Sequence, residues 1–375
     1  MGLGGADKKI LSLTKAYLQN GHDVKIVSLV PIGPMGVQAR ESGAEVISLD
    51  IAKSPSAVLD VIDLVREIRS FQPDVLHAQM YYANILSRVV RPLTGVESLV
   101  CTVQNTYERD PESGKGADRS LVEHLYRATK SLDDLTSFVS TRAKQRYVDV
   151  RAVSEEKATV VPNGTDTSEF VPSAESRSRL RSEFDVEETF VWLAVGRLWR
   201  QKDYPTLLEA FSEIDGEAEL WIVGKGPLLN DLIELRNNLG LQSRVRFIGP
   251  VQPQKVPEYM NAADAFVLSS SWEGLPLVLT EAMSVELPVV ATTSGGSKDI
   301  IEDGKSGFLV PPESPEKLTE KLDYVMSMGP EERAKIGRNA RERITREFSM
   351  SAISERWEEI YEQLHSQDVI PDCYL

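Results

Sequence analysis

The sequence predicts an α/β protein with two doubly wound domains, each a parallel sheet between layers of helices. Short apolar runs alternate with amphipathic helical patterns along almost the whole chain of 375 residues. This alternation is typical of parallel sheets, because each parallel strand pair needs a crossover connection, usually a helix. A chain of this length also accommodates two hydrophobic cores of ordinary size.

The first half of the chain alternates predicted strands with helical patterns such as residues 8–20 and 56–70. Its strands are short apolar runs, which suit the interior of a parallel sheet. Six strands are predicted, at 23–29, 44–50, 74–77, 99–103, 135–140 and 158–161. The turn-forming residues of Pro162-Asn-Gly-Thr-Asp166 then interrupt the pattern, which places a domain boundary there.

The second half repeats the same pattern. Its strands are predicted at 190–195, 220–223, 245–248, 265–269, 288–291 and 308–310. We therefore divide the chain into a first domain of residues 1–162, a second domain of residues 163–350 and a final segment of residues 351–375. The final helix carries an apolar stripe at helical spacing, which predicts a packing face: Trp357, Ile360, Tyr361 and Leu364.

Two polar clusters follow predicted strands of the second domain. Arg197 and Lys202 lie between the strand at 190–195 and the next helix, whereas Glu273 lies in a turn and Glu281 eight residues later in a helix. Ligands of open α/β sheets bind outside the carboxyl ends of the strands, where these residues are expected. Two cations beside a helix start suit a diphosphate, and carboxylates accept hydrogen bonds from sugar hydroxyls.

The order of these segments resembles the carboxyl-terminal domain of the family 4 retaining glycosyltransferases. The resemblance also rests on Ile222-Val-Gly-Lys-Gly-Pro227, Pro288-Val-Val-Ala-Thr-Thr-Ser-Gly-Gly296 and Asp303-Gly-Lys-Ser-Gly-Phe-Leu-Val-Pro311. It covers residues 155–350 strongly and residues 1–154 more weakly. It implies the GT-B fold, in which two Rossmann-like domains face a cleft, with the acceptor on the first, the donor mainly on the second, and the last helix crossing back to the first.

The resemblance also implies roles for individual residues. Glu273 contacts the transferred sugar, Glu281 holds the ribose, and the pair formed by Arg197 and Lys202 grips the diphosphate. The catalytic residues are then Arg197, Lys202 and Glu273. The donor-binding residues are Gly4, Gly5, Gly196, Val251, Gly274, Leu275 and Glu281. The residues expected to contact sugar or acceptor are His77, Gln79 and Gln104, of which the two glutamines stand where the family commonly carries histidine.

The amino-terminal glycines indicate a departure from the family pattern. Family members begin with a buried strand that leads into a glycine-rich loop, whereas Met1-Gly-Leu-Gly-Gly5 is already that loop and is followed by the helical pattern at 8–20. The first strand of the first domain is therefore expected to be missing. Its absence would leave two unpaired strand edges in the sheet.

The expected function is transfer of a hexose from a nucleotide diphosphate sugar, with uridine diphosphate as the carrier, to a saccharide or lipid-linked acceptor with retained configuration. No Asp-x-Asp pattern is present, so a metal-independent reaction without a cofactor is expected. Three alternatives stay open: a non-catalytic donor-binding subunit, a sugar-nucleotide epimerase and, least supported, a dinucleotide-dependent dehydrogenase, whose Gly-x-Gly-x-x-Gly turn is absent.

Composition limits the partners and the compartment. Only two cysteines, Cys101 and Cys373, and the lack of a signal-peptide pattern favour a reducing cytoplasm. Residues 1–165 carry 20 basic and 20 acidic side chains, so the net charge of −15 comes from the remainder, which argues against nucleic acid. A basic stretch predicts weak attraction to an anionic inner membrane face: Arg142, Lys144, Arg146, Arg151 and Lys157. The acceptor and the oligomeric state are not determined.

Overall fold

The computed structural model describes residues 5–51, 57–104 and 119–366. The chain divides into two compact units. The first unit consists of Met1–Gly164 with Met350–Leu375, and the second of Thr165–Ser349. Each is an α/β unit with parallel strands only, as the alternation of strands and helices predicts.

The strands of the first unit form two separate parallel sheets. A two-stranded sheet pairs β1 with β2, and a four-stranded sheet has the order β3-β4-β5-β6. These strands are β1 (Lys25–Ser28), β2 (Glu45–Ser48), β3 (Val75–Gln79), β4 (Ser98–Val103), β5 (Leu135–Phe138) and β6 (Ala158–Val160). The helices between them are α1 (Gly5–Gln19), α2 (Pro34–Glu41), α3 (Ala57–Phe71), α4 (Tyr81–Thr94), α5 (Arg119–Thr129) and α6 (Thr141–Asp149).

Strands β1 and β3 belong to separate sheets of the described residues. Within the described residues, β1 pairs only with β2 and β3 only with β4. Val27 of β1 and Leu76 of β3 nevertheless share one hydrophobic cluster. Helix α1 contacts both sheets, since Leu11 packs with Val46 and Leu13 with Val100. Strand β3 is half-buried along most of its length, whereas β4 is buried along its whole length.

The second unit contains one six-stranded parallel sheet of order β12-β11-β10-β7-β8-β9. Its strands are β7 (Phe190–Val195), β8 (Ala218–Val223), β9 (Val245–Gly249), β10 (Ala265–Leu268), β11 (Val289–Thr292) and β12 (Phe308–Val310). Because β7 pairs with β8 on one side and with β10 on the other, the strand order reverses there. A ligand crevice is expected outside the carboxyl ends of these strands.

The helices of the second unit cover both faces of this sheet. They are α7 (Ala174–Glu183), α8 (Tyr204–Ser212), α9 (Leu229–Asn238), α10 (Val256–Ala262), α11 (Leu277–Ser284), α12 (Ser297–Ile300), α13 (Pro315–Ser327) and α14 (Pro330–Arg343). The last helix, α15 (Met350–Ser366), belongs to the first unit. There Trp357 and Ile360 are fully buried against Leu13, Val100 and Leu135.

Candidate active site

Four loops of the second unit are joined by backbone hydrogen bonds where the strands end. The loop after β7 is bonded to the loop after β8, with Leu198 N donating to Lys225 O at 3.0 Å. The loop after β10 is bonded to the loop after β11, with Gly296 N donating to Gly274 O at 2.8 Å. A further bond, from Ser271 N to Gln201 O at 2.9 Å, connects the two pairs. The carboxyl edge of this sheet is therefore one connected surface.

Three glycines permit this close approach of backbone to backbone. A Cβ at Gly224 would lie 1.9 Å from the carbonyl oxygen of Gly196, and a Cβ at Gly226 would lie 2.1 Å from that of Leu198. A Cβ at Gly295 would lie 2.0 Å from the carbonyl oxygen of Glu273. No side chain fits at these distances, so the glycines are a steric requirement of the loop contacts.

An ion pair between Lys202 and Glu273 lies at the centre of this surface. Lys202 Nζ is 2.6 Å from Glu273 Oε1, and the side chains are only 15% and 8% exposed. Ser270 Oγ donates to the same carboxylate at 2.8 Å, and Gln201 Nε2 at 3.2 Å. The carboxylate is thus oriented by three donors. Sequence reasoning identified Lys202 and Glu273 but not the two neutral donors.

A short turn before α8 positions Lys202. Residues Arg200–Lys202 form one 3-10 turn, and Asp203 follows in the left-handed conformation with φ 46° and caps the helix. Ser269 Oγ donates to Lys202 O at 2.7 Å, which fixes the backbone of the lysine to the end of β10. Burial raises the pKa of Tyr204, the first residue of α8, and the charge of Glu273 raises it further, so the phenol stays protonated.

The other predicted donor-site residues of the second unit lie near the same edge. Arg197 is exposed, with its guanidinium 4.4 Å from the centre of the Trp199 ring. Glu281 is half-buried in α11, which begins at Leu277, and Leu275 is buried in the turn that precedes this helix. Val251 follows β9 and is half-buried. Ligand contacts by these residues stay predictions.

The predicted residues of the first unit form two separate groups. Gln104 Nε2 donates to Gln79 Oε1 at 2.9 Å, and Asn163 Nδ2 donates to Gln104 Oε1 at 3.2 Å. These three amides lie where β3, β4 and β6 end. Sequence analysis interpreted Asn163 only as a turn residue, although its amide completes this cluster.

His77 belongs to the other group, inside the first unit. Its Nδ1 is hydrogen-bonded to Tyr361 Oη at 2.5 Å and its Nε2 to Thr102 Oγ1 at 2.7 Å. Burial, and to a smaller extent the charge of Lys9, lower the pKa of His77 to about 3, so the ring is neutral. Both ring nitrogens are occupied, so a sugar contact by His77 stays a prediction that requires one of these bonds to be exchanged.

The amino-terminal glycines are only partly described. Gly4 lies outside the described residues, as do residues 105–118. Gly5, which was predicted in the loop, is instead the first residue of α1, so this helix begins before the expected residue 8. The helix extends toward the glycines because Ala6 and Asp7 are compatible with a first helical turn.

The described residues contain neither a cluster of metal ligands nor a helix that could span a membrane. No group of three or more His, Cys, Asp or Glu side chains in that part of the chain is arranged to hold a metal ion. Among the helices described, none is both long enough and apolar enough to cross a membrane.

Two family models match the chain. The model described as glycosyl transferases group 1 matches residues 176–343, and the model of a glycosyl transferase 4-like domain matches residues 4–164. Together the two matches cover most of the 375 residues.

Curated relatives are similar over parts of the chain or over most of it. A UDP-Gal:alpha-D-GlcNAc-diphosphoundecaprenol alpha-1,3-galactosyltransferase of Escherichia coli is 28% identical over 67% of the chain and 65% of that protein. A GDP-mannose-dependent mannosyltransferase of Mycobacterium tuberculosis is 31% identical over 50% of the chain and 51% of that protein. The chain thus spans from about half to just under two thirds of these two relatives. A D-inositol 3-phosphate glycosyltransferase of Corynebacterium diphtheriae is 24% identical over 98% of the chain and 91% of that protein.

Solved structures share the fold. The Anabaena protein HepE in complex with UDP has a TM-score of 0.82 and 21% identity over 96% of each chain. A glycosyltransferase from Rickettsia africae has a TM-score of 0.84 and 22% identity over 97% of each chain. At this level of identity the likeness establishes the two-domain GT-B architecture.

Proposed function

Because the chain belongs to the family 4 glycosyltransferases, we propose that it transfers a hexose from a nucleotide diphosphate sugar to a saccharide or lipid-linked acceptor with retained configuration. The observation that carries this proposal is the pair formed by Lys202 and Glu273 outside β7 and β10. A cation and a carboxylate at this position suit the two parts of the donor. The diphosphate needs a positive partner, and the sugar hydroxyls need acceptors.

Lys202 and Arg197 bind the diphosphate in this proposal. The Lys202 ammonium has three N–H donors, so it keeps its bond to Glu273 and donates to a phosphate oxygen as well. Arg197 is exposed and available from its position over Trp199. Both cations then stabilise the charge that grows on the departing diphosphate, which lowers such barriers by several kcal/mol. With two cations in place, the proposed reaction needs no metal ion.

Glu273 and Glu281 accept hydrogen bonds from the sugar and the ribose. Three protein donors hold the Glu273 carboxylate in one orientation, and a carboxylate has further acceptor sites for sugar hydroxyls. Glu281 lies in α11, close after the turn that contains Glu273. This role is positioning and electrostatic. No step of the proposal makes Glu273 a nucleophile.

The donor we propose is a uridine diphosphate sugar. HepE, which has the same fold, was crystallised with UDP and with UDP-glucose, and the name of the E. coli relative specifies UDP-Gal. The names of relatives also specify a lipid-linked diphosphate and an inositol phosphate as acceptors, which supports an acceptor with a saccharide or polyol hydroxyl. The chain has only two cysteines, and Cys101 is buried as a free thiol. This suits a reducing compartment such as the cytoplasm, which we propose as the location.

A donor-binding subunit without transfer activity is the second candidate. One observation favours it: Gln104 Nε2 donates to Gln79 Oε1, so the two glutamines bond to each other. Glutamine hydrogen-bonds hydroxyls but does not hold a proton near neutral pH. In this case the second unit binds the nucleotide and no sugar is transferred.

Titration calorimetry of the folded chain with UDP tests both candidates, followed by assays with uridine and guanosine diphosphate sugars. Binding with transfer or slow donor hydrolysis supports the transferase and identifies the donor. Binding without turnover supports the second candidate. A folded chain that binds neither nucleotide excludes the assignment of the second unit as the donor site.

Two variants test the residues themselves. We expect Lys202→Ala to weaken UDP binding by about tenfold or more, because a charge-assisted bond is lost. Glu273→Ala should abolish transfer, and it should weaken UDP binding much less than Lys202→Ala does. The matched control is Lys317→Ala, which removes an exposed ion pair with Glu320 on α13 of the same unit. Activity that survives both site substitutions would refute the assignment.

A further inference from the structure

Arg197 and Trp199 lie on the same side of the loop that follows β7. The residue between them, Leu198, is 1% exposed, whereas Arg197 is exposed and Trp199 is half-buried. Trp199 has extended backbone, with φ −141° and ψ 153°. Side chains two positions apart on extended backbone share a face, so this alternation brings the arginine next to the indole. The guanidinium carbon of Arg197 lies 4.4 Å from the centre of the ring.

The backbone that carries the indole is fixed on both sides. Leu198 N donates to Lys225 O at 3.0 Å, which ties the preceding residue to the loop after β8. Lys202 N donates to Trp199 O at 2.9 Å, which ties Trp199 itself to the turn before α8. Trp199 is therefore a platform held in place by its neighbours, on which a cation can rest.

Other arginines that stack on aromatic rings also bond to the protein through their N–H groups. Those in the described residues, 4.6–5.9 Å from their rings, are Arg88, Arg236, Arg244, Arg246, Arg333 and Arg343. Each of them donates to a carbonyl or carboxylate oxygen of the protein. Arg197 differs, because within the same described residues it has the shortest such stacking distance and no hydrogen bond or ion pair to the protein.

This contact leaves the hydrogen-bonding capacity of Arg197 unused. A guanidinium carries five N–H donors, and a cation–π contact uses none of them as an ordinary hydrogen bond. Two parallel N–H groups match the oxygens of a phosphate. A side chain that is already ordered by a ring also loses less freedom when it binds an anion. The unused donors of Arg197 therefore suit a phosphate group.

Lys202 lies beside the same stretch of backbone. A Cβ at Gly196 would be 3.1 Å from Lys202 Cε, so the stem of the lysine passes against the residue that precedes Arg197. The charge of Lys202 is balanced by Glu273 at 2.6 Å, whereas no acidic side chain of the described residues is paired with Arg197. Arg197 thus adds an unbalanced positive charge next to a neutral ion pair.

We propose that Trp199 is a positioning residue for Arg197, and that it holds the guanidinium ready for the diphosphate of the donor. This inference rests on the proposed function and adds to it a residue that acts only through Arg197. An aromatic side chain at position 199 then raises the affinity for phosphate and not for the nucleoside. The opposite arrangement, in which Arg197 must leave the ring before it binds, predicts tighter binding when the indole is removed.

Calorimetric titration of the full chain with UDP and with uridine, which has no phosphate, tests the proposal. We expect Trp199→Leu to weaken UDP binding about two- to fivefold, the effect of a cation–π contact at a partly exposed site, and to leave uridine binding unchanged. Trp199→Tyr keeps a ring beside the guanidinium and should retain most of the UDP affinity. A structural role of Trp199 would instead lower the affinities for UDP and uridine together.

A double-mutant cycle assigns the effect to Arg197. In the Arg197→Ala background, Trp199→Leu should have no further effect on UDP affinity, because the cation that Trp199 positions is gone. Phe190→Leu is the matched control, since Arg333 stacks on Phe190 at 5.2 Å where β7 begins, at the opposite edge of the sheet. This variant should bind UDP and uridine with wild-type affinity.

Unchanged or tighter UDP binding by Trp199→Leu would overturn the inference, as would the same loss with and without Arg197. In these cases the wild type still binds UDP, so the proposed function stands. A wild type that binds GDP in place of UDP is titrated with GDP and guanosine in the same way. A folded wild type that binds neither nucleotide overturns the proposed donor site, and the role of Trp199 with it.

Discussion

Gly295→Ala is the substitution that most directly tests the geometry of the proposed donor site. Gly295 has φ 54°, and a Cβ there would lie 2.0 Å from the carbonyl oxygen of Glu273. Contacts under 3.0 Å do not occur for real Cβ atoms, so the two backbone segments must separate by about 1 Å. Because Glu273 is bonded to Lys202 by its side chain, this movement disturbs both residues.

The magnitude follows from the size of this movement. A misplacement of about 1 Å in a catalytic site lowers the rate by about 100-fold, so kcat/KM with the donor should fall to that extent. The left-handed conformation itself costs an alanine about 1–2 kcal/mol of stability. UDP-sugar binding should weaken more than UDP binding, because the proposed contact of Glu273 is with the sugar and not with the nucleotide.

Gly240→Ala separates the two effects. Gly240 has a similar φ of 70°, at the end of α9, and nothing lies within 4 Å of an added Cβ. The Gly240→Ala variant should lose about 1–2 kcal/mol of unfolding free energy in urea and should keep the wild-type ratio of UDP-sugar to UDP affinity. The steric reasoning is refuted if Gly295→Ala behaves like Gly240→Ala in both the unfolding and the binding measurements.

Two further predictions concern buried charges of the first unit. Burial lowers the pKa of Lys9 to about 7. Between pH about 7 and the ordinary lysine pKa, the unfolded chain therefore binds more protons than the folded chain. The stability of the wild type rises with pH over this range. Lys9→Met should therefore have a higher free energy of unfolding than the wild type, by at most about 5 kcal/mol below pH 7. This gain should shrink at higher pH. Equal gains in urea unfolding at pH about 6 and about 9 would contradict this account. Asp133→Asn leaves Arg88 buried without its counter-charge and should cost about 3–5 kcal/mol, whereas Asp133→Leu combined with Arg88→Met should recover most of that loss in thermal unfolding.

The sequence predicted the elements around the donor site because their signals are local. Glu273 lies in a turn between β10 and α11, and Glu281 lies within that helix, as predicted. Apolar runs, turn residues and helical spacing are read within a few residues of each other, so they survive in a single sequence. The carboxyl-edge location of these residues then followed from the rule for parallel sheets.

The partners inside the site were not predictable in the same way. Ser270 and Gln201 orient the Glu273 carboxylate, and Asn163 reaches Gln104 across 59 positions of sequence. Gly295 and Gly296 entered the sequence-based interpretation only as part of the segment at 288–296 that carries the family resemblance. Which backbone approaches Gly295 is decided by the pairing of β10 with β11, and this pairing is a long-range contact.

By itself, the sequence determined the order of strands and helices, the polar loops that follow β7 and β10, and the charge of each half. Those properties depend on composition and on neighbours along the chain. Only the tertiary structure decided that the strands of the first unit divide between two sheets and that the polar side chains of Asn84 and Arg88 on α4 are buried. The pattern of α4 shows two faces but not which one is buried. That choice depends on Arg88 meeting Asp133, which lies 45 residues away and becomes a neighbour only when the unit folds.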